Sequence, residues 1–145
     1  TQNDPKNPAA EAYRVIRTSI QFAQAGKELQ TIALTSCTPN EGKSTTIANL
    51  AVVLTQAGKS VLIIDCDMRR SAIHDIVGVS LTPGLSDILN GGANLSDAIV
   101  HYKPEEGKTT FDILPGGNIP ENPSELLNSS RFRKLIEVVS TAYDA

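Results

Sequence analysis

The sequence predicts an α/β domain, a parallel sheet flanked by helices, and two observations carry that expectation. Thr31–Thr35 and Val61–Asp65 are short aliphatic or β-branched runs of the kind that form buried strands. Between them lies a turn-rich, Gly-containing loop and then a segment of helical period. Strand, loop, helix, strand is the βαβ unit, whose crossover places a helix on a parallel sheet. The 145 residues suffice for one domain with a real core and not for two, so residues 1–145 are read as a single domain.

In chain order, residues 1–8 form an exposed lead-in, with Pro8 suited to the first turn of a helix. Tyr13, Ile16, Ile20 and Ala23 recur at helical spacing, which predicts a helix from Ala9 to about Ala25, stopped by Gly26. The first strand, Thr31–Thr35, breaks into CTPNEGKST. Thr45–Gln56 is apolar with helical period and ends before Gly58. The second strand, Val61–Asp65, follows. Ala72–Val77, Leu85–Leu89 and Leu95–Val100 read as short helices, the last with Asn94 as a cap. Phe111–Leu114 reads as a third strand, followed by the turn-rich PGGNIPENP. A final helix starts near Ser130, with Phe132, Leu135, Ile136 and Val139 on one face.

The sharpest motif is Pro39-Asn40-Glu41-Gly42-Lys43-Ser44-Thr45, set between a strand and a helix. A nucleoside triphosphate needs several donors aimed at its oxygens with no bulky side chain in the way. A loop that winds into a helix N-terminus supplies consecutive backbone N–H groups and the positive end of the helix dipole. Gly42 lets the backbone approach, Lys43 reaches the β- and γ-phosphates, and Ser44 offers a hydroxyl to Mg²⁺. The match to G-x-x-x-x-G-K-[ST] is incomplete, because Cys37 stands where the first glycine is expected.

The second motif is Leu62-Ile63-Ile64-Asp65-Cys66-Asp67-Met68-Arg69-Arg70. A buried strand ends in two carboxylates spaced i, i+2. Ligands of open α/β sheets bind at the carboxyl ends of the strands, the rim to which Lys43 and Ser44 also belong. One carboxylate can help hold Mg²⁺ and the other can accept a proton from an attacking hydroxyl. Taken alone, Asp-x-Asp after a strand is equally a turn or a helix cap.

Together the two motifs resemble those of the bacterial tyrosine kinases. The aliphatic triplet with Asp-x-Asp-x-Arg looks like their second nucleotide motif (Walker A′), and TPNEGKST is similar to their phosphate loop. NIPENPSELL, residues 118–127, resembles a downstream stretch of that family, and Glu11, Arg14 and Arg17 fit its E-x-x-R-x-x-R helix. The resemblance implies a P-loop domain that uses ATP and Mg²⁺ to phosphorylate tyrosine, on its own chain and on other proteins, in systems that make or export capsular or extracellular polysaccharide. By that resemblance Lys43 contacts phosphate, Ser44 and Asp67 serve the metal, and Asp65 is the candidate base. It further implies a transmembrane activator or chain-length regulator as partner, a homo-oligomer assembled through Glu11, Arg14 and Arg17, and a cytoplasmic position held at the membrane by the partner. The family carries a further aliphatic strand ending in Asp (Walker B) shortly after the last helix. The sequence stops at Tyr143-Asp144-Ala145, so a sheet truncated before that strand is expected, without the family's tyrosine cluster.

Two other readings compete. One is an ATP-driven switch like the septum-positioning and plasmid-partition ATPases, although Cys37-Thr38-Pro39 lacks their signature lysine. The other is a catalytically impaired P-loop adaptor. The net charge of −3 argues against an extensive nucleic-acid surface. No apolar run approaches the roughly 20 residues that cross a bilayer, and Cys37 and Cys66 form neither a metal-ligand spacing nor a disulfide framework. Bland roles suit several further residues. His74 has no second histidine near it, the cysteines read as small buried hydrophobes, and Arg131, Arg133 and Lys134 read as the wet side of a helix. Glu11, Arg14 and Arg17 are, on spacing alone, a solvated charged face.

Overall fold

The computed structural model describes residues 7–23, 26, 30–104 and 109–145. Most of the lead-in and the expected end of the first helix at 24–25 lie outside the described residues. In chain order the elements are α1 (Pro8–Ala23), α2 (Lys43–Gln56), β1 (Leu62–Ile64), α3 (Ile73–Val77), α4 (Leu85–Leu89), α5 (Leu95–Ala98), β2 (Val100–Tyr102), β3 (Phe111–Leu114), α6 (Pro123–Leu127) and α7 (Ser130–Ala142).

The sheet has the order β1-β3-β2. β1 and β3 run parallel, with Ile63 opposite Ile113. Flanking bonds from Asp112 N to Val61 O and from Asp65 N to Leu114 O extend the ladder to the whole expected run Val61–Asp65. β2 pairs antiparallel with β3, so the sheet is mixed rather than purely parallel. The expected helix over Leu95–Val100 stops at Ala98, because Ile99 turns extended and Val100 enters β2. Three residues are too few to show an alternation in the sequence, and α6, hidden in the turn-rich NIPENPSELL, escaped for a similar reason.

Period-2 alternation sorts the strand side chains onto two faces. Val61, Ile63, Phe111 and Ile113 pack with Leu50, Ala51, Val53 and Leu54 of α2, and with Ile73 of α3. On the other face Leu114 packs with Leu85, Leu89 and Ala98, and with Leu126, Leu135 and Val139 of α6 and α7. Helices therefore cover both faces, as the sequence predicts, and among the described residues no helix is long and apolar enough to cross a membrane.

One expected strand differs. Residues 31–35 join no ladder among the described residues. An apolar cavity of about 520 Å³ lies between them and the sheet. Thr31–Leu34 line one side, Leu62–Ile64 another, and Leu50, Leu54, Phe132, Ile136 and Val139 fill out the walls. A β-branched run satisfies its backbone in a sheet only where a neighbouring strand supplies partners. Here β1 pairs with β3 on one edge and bonds residues 144 and 145 beside Ser60 and Leu62 on the other. Asp144 N and Ala145 N donate to Ser60 O, and Leu62 N donates to Ala145 O. The Asp144 carboxylate accepts from both Ser60 N (2.8 Å) and Ser60 Oγ (2.9 Å). These bonds hold its carboxyl below the usual carboxylate value.

Candidate active site

The phosphate-binding loop folds as its residue types dictate. Asn40 and Gly42 both have positive φ, 61° and 77°, a region that Gly enters freely and Asn tolerates. Nothing lies within 4 Å of where a Gly42 Cβ would stand, so it is the backbone angle, not crowding, that calls for glycine. The Thr38 hydroxyl donates to Glu41 Oε1 at 2.6 Å and staples the loop across three residues. That bond, followed by the backbone bond at Thr38, lowers the Glu41 carboxyl from its ordinary value. Lys43 Nζ donates to Ser36 Oγ at 2.9 Å, so Ser36, a residue not singled out in the sequence, holds the lysine over the loop.

α2 begins at Lys43, two residues earlier than the expected start at Thr45, and Gly42 caps it without a side chain. The first N–H groups of a helix have no intrahelical acceptor. Those of Lys43, Ser44 and Thr45 therefore point as a group out of the helix start. They open on a cavity of about 330 Å³ lined by all seven loop residues, Pro39 to Thr45, and by Asp67, Arg70, Ala72 and Ile76. Uncapped amides, a lysine and the positive end of a helix dipole are the donor set a polyphosphate needs, and the residues present fit a nucleotide there.

Across from the loop, the turn after β1 is organised by Asp65. Its Oδ1 accepts from Asp67 N (3.1 Å). Its Oδ2 accepts from Ser71 Oγ (2.6 Å), Ala72 N (3.1 Å) and Ile73 N (3.3 Å). Asp65 thus caps the start of α3 and fixes the turn, the bland reading of Asp-x-Asp, while still bordering the larger cavity beside Lys43, Ser44 and Asp67. Asp67 is different. Its Oδ1 accepts from Arg70 N at 3.1 Å, it is exposed, and it faces the phosphate cavity together with Ser44. Among the described residues no cluster of three or more His, Cys, Asp or Glu could hold a metal alone. Mg²⁺ suits this donor set all the same, since it is commonly held by one or two carboxylates, waters and substrate phosphates. Ser44 and Asp67 are the groups that would hold it. Cys37 and Cys66 are exposed rather than the small buried hydrophobes expected, because both lie in connecting segments outside the packed helices and strands; Cys66 sits between the two aspartates. Burial around its sulfur, and then the charge of Asp65, push the thiol up to about 11.

Residues 32–144 match the description "CobQ/CobB/MinD/ParA nucleotide binding domain". The chain belongs to this nucleotide-binding family. Within the CobQ/CobB/MinD/ParA domains its relatives include tyrosine-protein kinase YwqD of Bacillus subtilis, 40% identical over 141 residues that make up 97% of this chain and 58% of YwqD. Tyrosine-protein kinase wzc of Salmonella typhimurium is 43% identical over 97% of this chain and 19% of its own length. The kinase domain of Escherichia coli tyrosine kinase ETK superposes with a TM-score of 0.89 at 39% identity, covering 98% of this chain and 54% of that one. The chimerical protein CapA2B2 gives the same TM-score over 98% of this chain and 61% of the other. The chain therefore spans about three fifths of YwqD and a fifth of wzc. Its relatives are bacterial tyrosine kinases, the family named by the motif resemblance.

The three residues expected at an oligomer contact have partners within the chain. Arg14 pairs with Glu11 at 3.0 Å within α1. Arg17 donates from Nη1 to Val53 O at 3.0 Å, in the last turn of α2, where carbonyls lack intrahelical donors and a cation suits the dipole. Its Nε is buried and finds no acceptor among the described residues.

Proposed function

We propose that the chain is the ATP-binding part of a protein-tyrosine kinase that transfers the γ-phosphoryl of ATP to tyrosine hydroxyls, its own protein's included. The observation that carries the reading is the shared cavity. The full phosphate loop lines it on one side, and Asp67, from the turn after β1, lines it on the other. Tyrosine-kinase relatives matched over 97% of the chain support the same reading. The amides of Lys43, Ser44 and Thr45 grip the phosphates, and Lys43 Nζ exchanges Ser36 for the β- and γ-oxygens. Ser44 and Asp67 would hold Mg²⁺, which when bound would supply neutralisation of the charge on the phosphates. Asp65 is the base, for its Oδ1 has a single donor and keeps a lone pair for the phenolic proton. The tyrosine oxygen forms the new O–P bond, the bond from the γ-phosphorus to the bridging oxygen breaks, and ADP leaves.

The family resemblance extends the proposal to a role in capsular or extracellular polysaccharide systems. There the kinase works on the cytoplasmic face of the membrane with a transmembrane regulator, and it assembles with copies of itself. Glu11, on the exposed side of α1, is the most accessible of the three contact candidates, with a side chain 66% exposed.

The test is phosphotyrosine, read by mass spectrometry after the full-length protein is incubated with Mg-ATP, with Lys43→Met and Asp65→Asn alongside. Phosphotyrosine in the parent and none in either variant is expected. A parent that hydrolyses ATP and never marks tyrosine defeats the kinase reading in favour of the nucleotide-driven switch.

A further inference from the structure

We propose that Ser71 is a positioning residue for phosphoryl transfer: its hydroxyl clasps the Asp65 carboxylate to the carboxyl end of β3. The inference rests on the kinase reading above. Ser71 Oγ donates to Asp65 Oδ2 at 2.6 Å, the shortest of the four bonds that carboxylate accepts. The same oxygen accepts from Gly116 N at 3.3 Å. One half-buried hydroxyl therefore joins the turn after β1 to the loop after β3.

That loop is hydrogen-bonded on its far side. Leu85 N and Ser86 N donate to Pro115 O and Gly116 O, and the Ser86 hydroxyl donates to Asn118 O. Asp87 accepts from Gly84 N and from the Asn118 side-chain amide. A fixed loop can fix what it touches, and Ser71 is the side chain through which it reaches Asp65. Asp65 in turn accepts from Asp67 N, so the hydroxyl also steadies the backbone at Asp67. Three backbone amides hold the carboxylate, and all three belong to its own turn, residues 67–73. The fourth donor, the Ser71 hydroxyl, is the one anchored outside that turn, at Gly116 N, and ties the carboxylate to the loop after β3. Displacements of about 1 Å at a reacting group cost large factors in rate.

Gly116 supplies an independent handle. A Cβ there would stand 2.6 Å from Ser71 Oγ and 3.0 Å from Ser71 Cβ. Gly116 is not among the positive-φ glycines. Alanine therefore fits its backbone and acts by pushing the hydroxyl off Asp65.

The experiment compares Ser71→Ala, Gly116→Ala and the double variant in the full-length protein. It measures kcat and KM for ATP in tyrosine phosphorylation, affinity for a fluorescent ADP, and thermal melting. Ser71→Ala is expected to lower kcat about tenfold, the effect of one hydrogen bond to a charged group. ADP affinity should stay within about twofold, since the phosphate loop is untouched. Gly116→Ala should lower kcat similarly, and the double variant should be no worse than Ser71→Ala, because both changes remove one clasp. An active parent whose Ser71→Ala variant keeps its kcat overturns the inference and leaves the kinase reading intact. So do losses that multiply in the double variant, or a kcat loss matched by the unfolded fraction at the assay temperature. An inactive parent that still binds ADP overturns the kinase reading and this inference with it.

Discussion

Asp65→Asn separates a carboxylate that only does chemistry from one that also builds the site. Asparagine is nearly isosteric, but it has one acceptor oxygen and one donor nitrogen in place of two acceptors. If its oxygen faces Ser71 Oγ, Ala72 N and Ile73 N, its amide nitrogen faces Asp67 N, donor against donor. The flipped amide is worse, since it abandons three donors. Losing the charge also weakens the bonds that remain, as a bond to a charged group contributes roughly 1.5–3 kcal/mol against about 1 for a neutral pair. A half-buried site with one bond lost and three weakened is destabilised by about 2 kcal/mol. At roughly 3 °C per kcal/mol for a domain of this size, the melting point falls by about 6 °C. Asp67→Asn keeps an acceptor oxygen for its single bond, at an exposed position, and costs no more than about 0.5 kcal/mol. Differential scanning calorimetry of both variants without nucleotide therefore yields a gap of several degrees, while both lose tyrosine phosphorylation. Equal melting points for Asp65→Asn and the parent would refute the claim that Asp65 holds the turn.

Lys43→Met abolishes binding of fluorescent ADP in an anisotropy titration yet leaves urea unfolding nearly unchanged, because the Nζ contributes one bond, to Ser36. Arg17→Ala, which strips a donor from the last turn of α2, lowers stability by about 1 kcal/mol in the same unfolding assay, whatever the oligomeric state. The Tyr143 hydroxyl donates to Asp112. Burial, and then that bond and the charge on Asp112, raise the phenol well above the ordinary value of 10.0. Because the folded-state value is the higher one, the stabilisation is complete below the ordinary value and is lost as pH climbs through the raised one. Titration at 295 nm should therefore show a late step that Tyr143→Phe removes. The lowered Asp144 carboxyl has the opposite sign. Its contribution is present above the ordinary 3.8 and is lost as pH falls through the lower folded-state value. Melting points of the parent and Asp144→Ala should differ near neutrality and converge in acid.

Much of the site was legible because its parts are close together in the chain. Pro39 to Thr45 is a contiguous loop whose glycine, lysine and hydroxyl each have a mechanical reason to be there. Asp67 arrives in the turn after β1, the strand that follows α2. What stayed hidden depends on partners distant in sequence. Ser71 sits 45 residues from Gly116 and Arg17 sits 36 from Val53, and no periodicity reports such pairs. Arg17 looked like one charge in a surface row because spacing gives the face of α1, not what lies against it.

The segment 31–35 makes the complementary point. Its β-branched run correctly marks a stretch that prefers apolar surroundings, and Thr31–Leu34 do line an apolar cavity with Leu62–Ile64 opposite. A ladder, however, is a property of two strands, and composition in one strand specifies only the first. β1 found its partner because Phe111–Leu114 could be brought alongside it over an intervening crossover, with Ile63 set against Ile113. The loop that follows 31–35 is nevertheless well formed, since its angles and its Thr38–Glu41 and Ser36–Lys43 bonds are internal to residues 36–43. The phosphate site thus depends less on the strand before it than its βαβ description suggests. Its geometry is fixed by the loop itself, by α2 packed on the sheet, and by the Asp65 turn across the cavity.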